Sequence, residues 1–149
     1  MHAQVNINRN AVMTEGKGLT YPHHKIIGIM PDERSAWDAT NDLLANGFVE
    51  HDLELWSGSE GIEALKNSFD ADGPLGAFKG ILQEFGDEAQ NLRTYEKALS
   101  EGEFLLVAPI SNEDEKTTCN RVLAAHGGHF VLYYGELTIE TLTANRVIG

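Results

Sequence analysis

The stretch KIIGIMPDERSAWDATNDLLANG, residues 25–47, decides the fold. Its first six residues are a β-branched, apolar run ended by Pro31, the composition of a strand buried on both faces. Asp32 then caps a helix, with Ser35 near its first turn. Ala36, Ala39, Thr40, Leu43 and Leu44 recur at helical spacing until Gly47 supplies a C-cap, so the spacing predicts a helix over about 33–46.

A second stretch, FLLVAPISNEDEKTTCNRVLAAHGGHFVLYY at 104–134, repeats the arrangement. A dense apolar run over 104–110 predicts a strand, and Asn112 with Glu115 makes a capping box. Cys119, Val122, Leu123 and His126 then follow helical spacing. After Gly127-Gly128 the aromatic, β-branched run 129–134 predicts another strand, and an alternating run through Leu137 and Ile139 adds an edge strand. Glu33/Glu113, Leu43/Leu123, Ala45/Ala125 and Gly47/Gly127 correspond at an offset of 80 residues, a duplication-like echo.

Between the two stretches, 49–56 alternates, with Val49, Leu53 and Leu55 on one side and Glu50, Asp52 and Glu54 interleaved. This predicts a strand with one wet face. Residues 61–69 and 75–85 carry helix-like spacing, divided by Asp70-Ala-Asp-Gly-Pro74. Asp87 with Gln90 opens a third helix through Leu92, Tyr95 and Leu99 to Gly102. The expected fold is α+β: a ferredoxin-like βαββαβ sandwich with a helical insertion at about 58–102, between the second and third strands, and an extra C-terminal strand. Residues 1–24, polar and without period, read as a flexible tail, and 25–149 as a single domain.

The formal charge of −12 and pI near 4.8 repel phosphate backbones, so nucleic acid and anionic membrane are not expected partners. A single cysteine, Cys119, leaves no intramolecular disulfide and no multi-cysteine metal site. The start of the chain lacks the apolar core of a signal peptide, and no stretch has about 20 apolar residues to span a bilayer. A soluble, cytoplasmic protein is expected.

His23-His24 and His126-Gly-Gly-His129 are the local histidine clusters, and His126 and His129 are the candidates for holding haem or a metal. The expected topology separates the clusters: His24 and His129 open antiparallel neighbours, and a six-residue strand spans roughly 20 Å. The plainer reading has His126 capping helix carbonyls and His129 opening a strand. Cys119 falls on the apolar stripe of its helix, where burial raises the thiol pKa and makes a core residue of it. Glu113, Asp114 and Glu115 read as a solvated helix start. No nucleophile elbow, P-loop or dinucleotide fingerprint is present. Trp56, Tyr95 and Tyr134 are the candidates for an interface or pocket.

The segments KIIGIMPDERSAWDATNDLLANGF, TYEKALSEGEFLLVAPI and RVLAAHGGHFVLYY resemble the heat-induced stress protein YflT family, the general stress protein 17M-like domains. The resemblance runs from about Lys25 to Tyr134 through scaffold motifs. It implies an association with stress and an α+β domain, and it supplies no reaction, ligand or active-site residue. The resulting expectation is a non-enzymatic, stress-associated domain that works by protein association as a homodimer, with no resident cofactor. Two other readings stay open: a small-molecule, haem or metal binder using a cavity between sheet and insertion, and an enzyme of a ferredoxin-like superfamily.

Overall fold

A computed structural model of the chain describes residues 24–68, 88–136 and 138–142. Five strands, β1 (Lys25–Met30), β2 (Glu54–Trp56), β3 (Phe104–Pro109), β4 (His129–Tyr134) and β5 (Ile139–Thr141), form one sheet in the order β2-β3-β1-β4-β5. Every neighbouring pair is antiparallel. The helices described are α1 (Glu33–Ala45), α2 (Gly58–Ser68), α3 (Glu88–Ser100) and α4 (Glu113–Ala125). The architecture is therefore α+β. Because β1 and β2 both run antiparallel to β3, they are parallel to each other with β3 between them, and α1 makes the crossover. β3 and β4 flank β1 in the same way, joined by α4, so two split β-α-β units interleave.

The central strand is dry on both faces, as its unbroken apolar run requires. On one face Ile26, Met30, Leu106, Ala108 and Val131 pack with Leu43 of α1 and with Cys119, Val122 and Leu123 of α4. On the other, Ile27, Ile29, Leu105, Val107 and Leu132 pack with Leu65 of α2 and with Tyr95 and Leu99 of α3. Each such buried aliphatic side chain contributes about 1.5–3 kcal/mol against exposure. Gly28 sets how closely α4 approaches the sheet: a Cβ there would stand 2.5 Å from Leu123 Cδ2. The register of β1 against β4 shifts at this glycine, and Phe130 across from it adopts a φ of 51°, a left-handed conformation rare for a bulky residue.

The helix ends follow their sequence signals. Asp32 and Asn112 cap α1 and α4 with the same extended backbone, φ −157° and −156°, ψ 176° in both. Their carboxylate and amide oxygens accept from the amides of Ser35 and Glu115, each at 2.8 Å. Glu115 completes its box one residue outside the cap, accepting from the Ser111 amide at 2.7 Å. α1, α3 and α4 all end by one device, in which the amides of Phe48, Glu103 and Gly128 donate back to the carbonyls of Leu43, Ala98 and Leu123. Gly47, Gly102 and Gly127 supply the positive φ that this turn demands. The offset of 80 residues also holds in space: Ile27 and Val107, equivalent by that offset, are direct cross-strand partners, so a pseudo-two-fold axis passes between them.

Residues 49–56 depart from expectation. Glu50–Asp52 form a 3-10 turn, β2 begins only at Glu54, and Val49 is 50% exposed instead of facing the core. Continuing the β2–β3 register backwards would set Asp52 against Pro109, which has no amide to donate, and local bonds from Asp52 and Leu53 to Val49 and Glu50 win. The expected wet face is absent as well, since Leu55 and Trp56 are both buried and α2 and α3 cover the second side. The predicted helices at 61–69 and 87–102 are found with shifted bounds, as α2 and α3. The helix expected over 75–85, Asp87 of the expected cap with Gln90, and most of the expected tail lie outside the described residues. His24 is held at the head of β1: its amide donates to the Tyr134 carbonyl and its carbonyl accepts from Ile110. Among the described residues no helix is long and apolar enough to cross a membrane.

Candidate functional site

Three groups of side chains carry chemistry. The first is the aromatic layer on the α2–α3 side of the sheet. Tyr95 rises from α3 and Tyr134 from β4, and their buried hydroxyls meet at 2.9 Å. The Phe130 ring stands edge-on to Tyr95 with centroids 5.5 Å apart. Trp56, at the end of β2, is buried in the same layer, and its indole N–H donates to Glu54 Oε1 at 2.8 Å. The structure thus places Trp56, Tyr95 and Tyr134 together, inside the second core. One hydroxyl donates and the other accepts, which lowers the desolvation penalty of an isolated buried phenol.

The histidines form the second group, and all four described ones face a carboxylate. His126 Nε2 lies 3.0 Å from Asp42 Oδ2, tying the C-terminal ends of α4 and α1 together where neither helix has a basic residue in its last turn. His129 lies 3.8 Å from Glu103, His51 3.5 Å from Asp52 and His24 3.8 Å from Glu136. His126 and His129 therefore serve different partners on different elements, and the structure does not bring them to one ligand. The backbone of His126 caps α4, while its ring crosses to the neighbouring helix. The register sets Lys25 against Tyr134 and Ile29 against His129, so His24 and His129 lie at opposite ends of the sheet, as their expected positions implied. Among the described residues no three His, Cys, Asp or Glu side chains converge on a point that could hold a metal ion.

The third group escaped the sequence reading. Lys116, on the inner face of α4, is only 15% exposed and donates to Glu140 Oε1 of β5 at 2.7 Å. Glu113 adds a second carboxylate at 3.2 Å, and the ammonium stands 4.5 Å from the centre of the Tyr133 ring. The hydrogen bond to Glu140 holds the Lys116 pKa above its ordinary value, against the opposing effect of burial. His24 Nδ1 reaches the Tyr133 hydroxyl at 3.4 Å. The signal was present in the spacing: Lys116 stands three residues before Cys119, on the stripe that packs against the sheet. A cation on an apolar stripe needs partners, and the nearer of the two carboxylates lies 24 residues away on another element.

Cys119 is buried, and burial, helped by the negative charge of Glu115, pushes its thiol up to about 12. Its thiolate is then too scarce at neutral pH to act as a nucleophile. No protein-family model, curated protein or solved structure matches the chain.

Proposed function

We propose that this chain is a non-enzymatic, stress-associated cytoplasmic domain of ferredoxin-like form that acts through protein association as a homodimer. The open sheet carries the reading. β2 and β5 close its two ends, and among the described residues each has a strand neighbour on one side only. Such edges are templates for pairing. The ferredoxin-like part is supported by the interleaved split units, β4-β1-β3-β2 in order, with α1 and α4 on one face and β5 added outside β4. The link to stress rests on the sequence resemblance alone.

The non-enzymatic part is supported by how the reactive side chains are spent. The two buried tyrosines answer each other, the Cys119 thiol is packed in the core, and Lys116 joins α4 to β5. Native mass spectrometry of freshly purified protein beside its ultraviolet–visible spectrum tests the proposal. The expected result is a dimer whose mass is two bare chains. A monomer throughout the micromolar range, or a retained mass with a Soret-like band, overturns it.

A further inference from the structure

We propose that β5 is exchanged between two copies of this chain, so that segment 138–142 of each copy completes the sheet of the other; this rests on the association reading above. β5 makes only three cross-strand pairings, Leu132 with Thr141, Tyr133 with Glu140 and Tyr134 with Ile139. Its side-chain hold on the body comes from three residues, of which Ile139 packs against the second core from a partly exposed position. Leu142 is buried in the first core, with its amide donating to the Val131 carbonyl, and Glu140 receives the Lys116 ammonium. A three-residue edge strand held by so few side chains sits at the low end of local stability.

Beneath it lies a strand suited to pairing. β4 reads His129-Phe-Val-Leu-Tyr-Tyr134, six residues rich in aromatic and β-branched side chains, and among the described residues β5 is the strand that pairs with it on that side. A strand that replaces β5 must bring an acid opposite Tyr133, within reach of Lys116, and an apolar residue two positions on for the core socket. Segment 138–142 of a second copy brings both, as Glu140 and Leu142, in the right order. Exchange keeps every contact of β5 with the body. It gives up the closed hairpin connection, in which the Gly135 amide donates to the Thr138 carbonyl at 2.9 Å. Closed and exchanged forms are then separated mainly by chain concentration, and the reciprocal exchange closes as a two-fold dimer.

Charge reversal distinguishes exchange from any other dimer. A Lys116→Glu chain sets two carboxylates against each other at this pair within itself, and a Glu140→Lys chain sets two ammonium groups against each other. Only the exchanged heterodimer pairs opposite charges at both sites. The two full-length chains, one labelled with nitrogen-15, are mixed in equal amounts and read by native mass spectrometry. The expected result is a heterodimer at least tenfold above either homodimer. The chain carrying both reversals, which restores the pair, dimerises like the wild type and shows that the substitutions leave the fold intact. A wild-type dimer together with a statistical mixture of variant dimers overturns exchange and leaves association standing. A wild type that stays monomeric overturns both.

Discussion

Cys119 and Lys116 lie three residues apart on one helix face and push the molecule in the same direction at alkaline pH. The folded thiol ionises near 12 against an ordinary 9.0, because burial penalises the thiolate. A folded pKa above the unfolded one means stability that is complete below about pH 9 and lost as pH rises toward 12. Lys116, raised by its hydrogen bond to Glu140, adds a loss of the same sign at higher pH. Urea midpoints measured from about pH 8 to 11 are expected to fall more steeply for the wild type than for Cys119→Ala, which retains Lys116 and loses only the thiol's share. Parallel profiles would sink the assignment. The buried cysteine was legible from the spacing of its helix. The Lys116–Glu140 pair was not, because a salt bridge between α4 and β5 leaves no local trace in either segment.

At the scale of elements, α1 and α4 amount to one device used twice. Each has 13 residues, opens on an oxygen cap with the same backbone angles and ends in a glycine turn. Asp32→Ala and Asn112→Ala are each expected to cost about 1 kcal/mol, equal within a few tenths, with an unchanged denaturant slope. A large difference between the two would mean that one cap carries tertiary load the geometry does not reveal. The Asp32 and Asn112 caps are legible in the sequence because such a cap is a bond between residues three apart. β2 was misread for the opposite reason. The alternation at 49–56 is genuine, but Pro109 on the partner strand decides where the pairing stops.

At the scale of the molecule, one sheet separates two cores and both faces of β1 serve them. Neither layer can dissolve without exposing the strand that the other needs, so a single cooperative unfolding transition is expected. Trp37 packs on the first layer and Trp56 in the second. Single-tryptophan variants, Trp37→Phe and Trp56→Phe, should therefore report coincident transitions once each is normalised to its own circular dichroism. A fluorescence midpoint separated from the backbone signal in either variant would show that the layers come apart independently. The sequence by itself determined α1 to α4, the caps at Asp32 and Asn112, the buried central strand and the echo between the halves, since each is set by contacts within a few residues or by the period of apolar side chains. Only the tertiary structure decided that Tyr95 and Tyr134 share a hydrogen bond, that His126 reaches Asp42 and that Lys116 clasps β5. These pairs lie 39, 84 and 24 residues apart, and nothing short of the packed sheet brings their polar atoms within bonding distance.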